Sequence, residues 1–386
     1  MADEGGLNTV VSDVDEALKV VAGALRMQGR RVVRRGKAVI EIPGLTSLTI
    51  TQPLHRLALN PARQLNPWVS LAEFPWLMAG RCDIGWLLPY LPRAADYSDD
   101  GRYWRAGYGP RLRSWGSQHF AAGQKPLDQV AKVVEILIAD PMTRQAVIAL
   151  WDPVADLGAQ SRDLPCTNWL HFQAREVEGA GGKSTVLDLT VMMRSNDVLW
   201  GFSGVNVVNF TLLLELVARF TGMAVGCYRH VTTNMHVYEE HAQRLGAIQS
   251  GVDVYPALST RSLGMDAVTG LDEFTFECRR MLETLENTRH IINIGSGCST
   301  DPWVTQWGYF MSLHKWLDEK KEWEWWLDAL SPVKNSAWCL AAARFLARRD
   351  PRYQGRVLGF VVDSFMTEDS GAEYMNATMK GAHAES

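Results

Sequence analysis

Apolar residues recur at Val14, Leu18, Val21 and Leu25, a spacing that lines one face of an opening helix running to Met27. The alternating stretches AVIEI and SLTITQ then predict two short strands. SLAEFPWLMAG predicts a helix ending in glycine, with Pro75 placed near its first turn or bending it. From Pro126, the spacing of Leu127, Val130, Val133, Val134 and Leu137 predicts another helix, stopped by Asp140 and Pro141. RQAVIALW is apolar on both faces and suits a strand in a covered sheet. The region of Cys166 and the stretch STVLDLTVMMR predict two more strands around a glycine-rich turn, EGAGGK. NVVNFTLLLELVARFTG then reads as a helix with a glycine stop. Strands and helices mix without strict βαβ alternation, which predicts an α+β fold with a mixed sheet flanked by helices.

Past about Gly251 the pattern changes. Seven of the fifteen tryptophans fall between Trp303 and Trp338, in segments such as HKWLDEKKEWEWWLDAL and AWCLAAARFLARR that have helical spacing. They are expected to be core and helix-packing residues rather than ligand-stacking ones. The expected division is a first unit over residues 1–250 and a mainly helical, Trp-rich extension over 251–386 packed on it. The tail after Tyr353 is weakly patterned.

Composition narrows the function classes. With 47% hydrophobic residues, 21% charged residues and a net charge of −4, the chain has no global pull toward nucleic acid or an anionic membrane. Six cysteines, at 82, 166, 227, 278, 298 and 339, lack any C-x-x-C pair and read as reduced thiols, not a disulfide frame or metal site. The N-terminus has no basic region followed by an apolar one, and no uninterrupted run of about eighteen apolar residues occurs. A cytoplasmic protein with no membrane and no nucleic-acid partner is expected.

The loop RAADYSDDGRYWRAGYGPRLRSWG is dense in Gly, Asp and Arg and is expected to face a site. Four further stretches hold polar residues that packing alone would not ask for: DPMTRQ with Arg144, DLPCTNW with Cys166, MMRSNDVLWGFSGVN with Arg194, Ser195, Asp197 and Asn206, and TTNMHVYEEH with Asn234, His236 and Tyr238. An arginine at an apolar strand end is costly unless it is paired or binds an anion such as phosphate. Cys166 by itself reads as a packed core thiol as readily as a nucleophile.

Taken together, these stretches resemble the thymidylate synthase family in order, spacing and residue type, from about Ser47 to Leu245, roughly half of the chain. The core of the resemblance is "PC", then "RSND" about thirty residues later, then Gly201, an asparagine ahead of a long helix, and "H-x-Y". It implies Cys166 as nucleophile, and Arg194 on phosphate while lowering the thiol pKa. Ser195 would also touch phosphate, and Arg144 would reach the phosphate held by a neighbouring subunit of a homodimer. Asp197 would contact the folate, Asn206 the pyrimidine edge, and His236 with Tyr238 the ribose hydroxyl. Glu73 matches the proton-handling glutamate, and Tyr108 the tyrosine of the active-site loop. The cosubstrate would be 5,10-methylenetetrahydrofolate and the substrate a pyrimidine nucleoside monophosphate. This chemistry needs these types: C5 of a pyrimidine is a poor nucleophile until a thiolate adds to C6, a thiolate near neutral pH needs a cation beside it, and a carboxyl group must move protons at the base.

Departures from the family pattern sharpen the expectation. Thr167 stands where a histidine follows the nucleophile, which opens the choice between uracil and cytosine, whereas Asn206 favours uracil over the aspartate of cytosine-specific relatives. GFSGVN needs a one-residue insertion to match. Gln145 replaces the second arginine of a pair, leaving phosphate to Arg144, Arg194 and Arg35. The tryptophan that covers the folate in methyl-forming members cannot be placed in YLPRAADYSDDG, and the family's C-terminal cap is not recognisable. Both departures resemble relatives that make 5-hydroxymethyl nucleotides. The expected product is therefore 5-hydroxymethyl-dUMP or 5-hydroxymethyl-dCMP, with dTMP formation, or a non-catalytic nucleotide-binding homologue, as the alternatives.

Overall fold

A computed structural model describes residues 5–116, 126–179, 182–251, 268–287, 302–319, 321–333, 336–353 and 356. Its strands are β1 (Leu7–Val11), β2 (Arg30–Arg34), β3 (Lys37–Glu41), β4 (Thr46–Ile50), β5 (Val147–Ala149), β6 (Thr167–Gly179), β7 (Gly182–Met193), β8 (Asn196–Asp197), β9 (Ala224–Thr232) and β10 (Met235–Tyr238). Its helices are α1 (Val14–Gln28), α2 (Pro67–Met78), α3 (Tyr108–Arg113), α4 (Gln129–Ala139), α5 (Pro153–Asp156), α6 (Val207–Thr221), α7 (Leu245–Ser250), α8 (Leu271–Asn287), α9 (Pro302–Leu313), α10 (Trp323–Leu330) and α11 (Ser336–Arg349). This is the mixed α+β architecture that the sequence pattern predicts.

Two sheets divide the strands. The larger has the order β1-β4-β9-β7-β6-β5 and mixes parallel with antiparallel pairs; the smaller has the order β2-β3-β10-β8. Period-two alternation gives the large sheet two unlike faces. The row Ile148, Leu170, Val191, His230 and Leu48 is wholly buried, beneath α6, which packs on β7 and β9. The next row, Val147, His171, Thr190, Arg229, Thr49 and Val10, faces away, and its end members are 47% and 67% exposed. β5 is thus an edge strand with one open face, not the strand of a doubly covered sheet that RQAVIALW suggested, because it pairs with β6 alone. Leu127 likewise lies ahead of α4, exposed, with its backbone paired to Trp115.

α2 begins earlier than SLAEFPWLMAG suggests. The Asn66 side chain caps it by accepting the Trp68 N–H, and Pro67 takes the first turn, where a missing N–H costs nothing. Pro75 therefore sits in the last turn, not the first. A proline there cannot donate to the carbonyl four residues back, that of Leu71. The Trp307 indole of α9 supplies the donor at 3.0 Å, and the Trp86 indole does the same for Ala72 at 2.9 Å. All twelve α2 residues are buried, because the helix packs against α6 and also against α8, α9 and α11. The expectation that the late tryptophans are packing residues holds for Trp307, Trp323, Trp326 and Trp338, all buried. Of the glycine-rich turn, residues 180 and 181 lie outside the described residues, as do Cys298, the Trp303 side chain and most of the tail after Tyr353. The other five cysteines are free thiols.

Trp68 joins α2 to the late helices: it is fully buried, stacks on Phe310 at 5.4 Å, meets Phe345 edge-on at 5.1 Å and donates to the Phe310 carbonyl. Trp68→Ala is expected to lose about 3–5 kcal/mol of unfolding free energy in urea denaturation, and Trp68→Phe distinctly less.

Candidate active site

Cys166 lies just ahead of β6, in a loop held by side chains from two other elements. The Tyr108 hydroxyl, on α3, accepts the N–H groups of Cys166 at 3.2 Å and Thr167 at 2.9 Å. From the end of β7, Arg194 donates Nε to the Pro165 carbonyl and Nη2 to that of Leu164, which leaves Nη2 3.8 Å from the Cys166 Sγ. Its guanidinium also lies over the Trp151 ring. The loop is thus pinned by a cation that also reaches the sulfur through Nη2.

The expectation that arginine holds this thiol low is met in sign but not in balance. Burial pushes the Cys166 pKa above its ordinary value and Asp163 adds to that, while Arg194 and Arg35 pull the other way. Desolvation wins, so the thiol is protonated at neutral pH and the arginines limit the cost of ionising it. Asp163 is itself pushed up to about 6 by burial.

Arg35 reaches this site from the tip of the β2–β3 hairpin. Arg35 and Gly36 both adopt positive φ, +50° and +78°, as a tight two-residue turn between twisted strands requires. The guanidinium donates to the Ser161 carbonyl at 3.3 Å. Ser195, next to Arg194, donates to Asn234 Oδ1 at 2.9 Å, and Asn234 donates in turn to Glu41. Arg144 is not part of this cluster: it is exposed in the turn between α4 and β5, with no ion pair to a described residue.

Asp197, His236 and Tyr238 meet in the small sheet, where Asp197 on β8 sits opposite His236 on β10. Asp197 Oδ1 caps the following helix through the Trp200 N–H, while Oδ2 is buried with no partner among the described residues. Burial raises its pKa despite that N–H and the nearby His236 and Arg63. The His236 ring stands edge-on to Tyr238 at 5.5 Å. Trp200 is 40% exposed beside Asp197.

The insertion that GFSGVN requires is absorbed as a π-helix over Val198–Asn206, in which the Val207 N–H bonds the Phe202 carbonyl, five residues back. Its carbonyls find side-chain donors: Ser203 on Val198, Arg63 on Leu199 and Ser70 on Gly204. α6 resumes after it, with Asn206 and Asn209 one turn apart. Asn206 Nδ2 lies 3.3 Å from Asn196 Oδ1, and Asn196 Nδ2 lies 2.9 Å from His230 Nε2. Asn209 donates to Glu73 Oε2 at 2.5 Å. Glu73 is 8% exposed, and burial pushes its pKa up to about 7 against the lowering effect of that hydrogen bond.

Sequence reading missed Asn196, Asn209, His230, Arg63 and Trp200. The signals existed for two of them. Asn209 follows Asn206 at helical spacing, and period two puts His230 on the buried face with Tyr228 and Thr232. The assembled groups can bind an anion at Arg35 and Arg194, hydrogen-bond the edge of a flat heterocycle at Asn206 and Asp197, offer a thiol for addition, and move a proton near neutral pH through Glu73.

A family model for thymidylate synthase matches residues 24–278. A deoxyuridylate hydroxymethyltransferase of Bacillus phage SP01 is 38% identical over 215 residues, 55% of this chain and 53% of that protein. One of Pseudomonas phage M6 is 36% identical over 228 residues, 59% and 60% of the two chains. A thymidylate synthase of Symbiobacterium thermophilum is 29% identical over 216 residues, 53% of this chain and 70% of that protein. The chain thus spans 53% to 60% of the length of these two phage relatives. With the matched region covering about two thirds of its length and the nucleophile loop, the RSND turn and the H-x-Y strand converging on one site, this chain belongs to the thymidylate synthase family.

Proposed function

We propose that this chain transfers the one-carbon unit of 5,10-methylenetetrahydrofolate to C5 of deoxyuridylate and releases 5-hydroxymethyl-dUMP. The observation that carries the reading is the Cys166 thiol, 3.8 Å from an Arg194 donor; Glu73, pushed up to about 7 by burial, supports it as the group that moves protons. Cys166 adds to C6, Arg194 and Arg35 hold the phosphate beside it, and their charge stabilises the thiolate as it forms and leaves. Ser195 supports the phosphate, and His236 with Tyr238 meets the sugar. Asn206 meets the ring edge, and Tyr108 keeps the nucleophile loop in register. Folate suits the far end: the unpaired Asp197 oxygen can accept from a heterocycle rich in N–H donors, and Trp200 offers a flat aromatic face.

Water capture is favoured over reduction for a packing reason. An indole held over the intermediate keeps water away from the exocyclic methylene. Trp104 donates to the Ala94 carbonyl and stands edge-on against Trp76, while Trp307, Trp326 and Trp338 are buried. These four side chains are committed to packing, so none of them serves as that cover. Glu73, as carboxylate, then takes the proton of the attacking water. The names of the two phage relatives point the same way.

A homodimer fits the open face of the large sheet and the outward Arg144, which in that arrangement reaches the partner's phosphate site. Mixing Arg144→Ala chains with Cys166→Ala chains is then expected to restore part of the wild-type rate through hybrid sites. Confirmed hybrids without rescue would confine Arg144 to its own subunit or to no role.

Mass spectrometry of the nucleotide after incubation with methylenetetrahydrofolate and dUMP tests the main reading. A 5-hydroxymethyl product without dihydrofolate absorbance is expected; a methyl product with matching dihydrofolate would make the activity that of thymidylate synthase. Cys166→Ala should retain dUMP binding and lose both turnover and the folate-dependent covalent adduct with 5-fluoro-dUMP, and turnover near the wild-type rate in that variant sinks the assignment. The pH profile reports on Glu73: kcat should rise as pH passes through about 7, where its carboxyl ionises. Glu73→Gln should remove that break along with most of the rate.

A further inference from the structure

We propose that Asn196, itself held by His230 and Met193, fixes the amide of Asn206 in one orientation and thereby selects uracil over cytosine. The proposal rests on the reading that Asn206 meets the base. Residue type alone does not decide the choice, because an asparagine amide carries a carbonyl on one side and an NH2 on the other. An unrestrained one can flip and serve either base.

Here the flip is blocked by a chain of contacts, part-buried at Asn206 and buried at Asn196 and His230. Asn196 Nδ2 lies 3.1 Å from the Met193 sulfur and 2.9 Å from His230 Nε2. A thioether sulfur has lone pairs and no proton, so the Asn196 atom facing it must be the NH2 group. The Asn196 carbonyl therefore faces Asn206, and the Asn206 atom 3.3 Å from it must again be NH2, a group that also lies 3.8 Å from the same sulfur. His230 is fully buried and accepts from Asn196 at Nε2, so its ring proton sits on Nδ1, 3.0 Å from the Tyr228 hydroxyl. Burial pulls the His230 pKa down to about 3, which keeps the ring neutral and the chain's polarity constant at any working pH. The backbone makes room for this arrangement: a Cβ at Gly201 would lie 1.9 Å from Asn196 Oδ1.

The consequence at the base follows from donors and acceptors. With one N–H turned to Asn196, Asn206 offers its carbonyl and its remaining N–H to the ligand. Uracil presents a donor at N3 and an acceptor at O4, which match. Cytosine presents an acceptor at N3 and a donor at its 4-amino group, and would need the amide reversed. Reversal sets two carbonyl oxygens against each other with no proton between them in a part-buried site. Discrimination thus comes from a penalty on cytosine as much as from a fit to uracil.

Equilibrium binding of dUMP and dCMP to the full chain tests this. Asn196→Leu removes the acceptor that pins Asn206; dUMP affinity should fall only a few-fold while dCMP affinity rises, shrinking the preference for dUMP by about tenfold. A gain of dCMP binding cannot come from a damaged fold. His230→Gln, whose carbonyl can still accept from Asn196, should retain the wild-type preference, and His230→Leu should lose much of it, so this pair decides the matter if Asn196→Leu does not fold. A preference unchanged in Asn196→Leu and His230→Leu, with both nucleotides bound, overturns the inference. Should Asn206→Ala leave both affinities unchanged, or the wild type bind neither nucleotide, the underlying reading of Asn206 fails as well.

Discussion

A helix carrying one residue too many for its length must open its hydrogen-bond ladder, and the site depends on how that opening is filled. Over Val198–Asn206 the extra residue widens the turn, and carbonyls there turn to side chains for donors. Arg63 is buried to reach one of them, and burial pulls its pKa down to about 9, so it remains a cation at neutral pH. Because the regular ladder resumes at Val207, the chain leaves the widened turn with Asn206 directed at Asn196 and, one turn on, Asn209 directed at Glu73. Asp197 caps the same segment at its other end. Three polar groups that face the site are therefore spaced by one backbone irregularity.

Burial then acts on each titratable group with a different result. It holds His230 neutral, so that a hydrogen-bond direction is constant. It raises Glu73 to about 7, where a carboxyl can both give and take a proton. It raises Cys166 too, but there a cation stands close enough to offset part of the cost once the sulfur ionises. The carboxyl shift also bears on stability. A folded-state pKa above the unfolded one means that the native chain holds the proton more tightly, so Glu73 favours folding most below its ordinary range. That contribution is lost as pH rises toward about 7.

Much of this was legible in the sequence. Helical and strand periods located α1, α4, α6, β3, β4 and β7, and short motifs separated by long gaps picked out two pairs that the fold brings together, Cys166 with Arg194 and Asp197 with His236. What escaped reading shares a cause: it depends on which side chains meet across elements distant in sequence. Glu73 and Asn209 lie 136 residues apart, and Arg63 reaches a carbonyl equally far along the chain. The start of α2 is set locally by Asn66 and Pro67, which lie outside the apolar run that the helical period picks out. The open face of β5 was hidden because an apolar edge strand and a buried one read alike when the partner of the second face is not known.

The late helices belong to the same physical problem as the site. Glu73 sits two residues before Pro75, in a helix whose last turn lacks one of its own donors. The Leu71 carbonyl freed by that proline is satisfied by an indole from α9, and the Trp68 indole reciprocates by donating to an α9 carbonyl. Arg344 and Arg348 of α11 donate to the carbonyls of Leu59 and Leu65, on the approach to α2. Trp68 and Trp307 are thus spent on fixing the helix that bears the carboxyl group. A buried carboxyl group fixed by Asn209 and late indoles committed to backbone carbonyls are thus two results of one packing arrangement around α2.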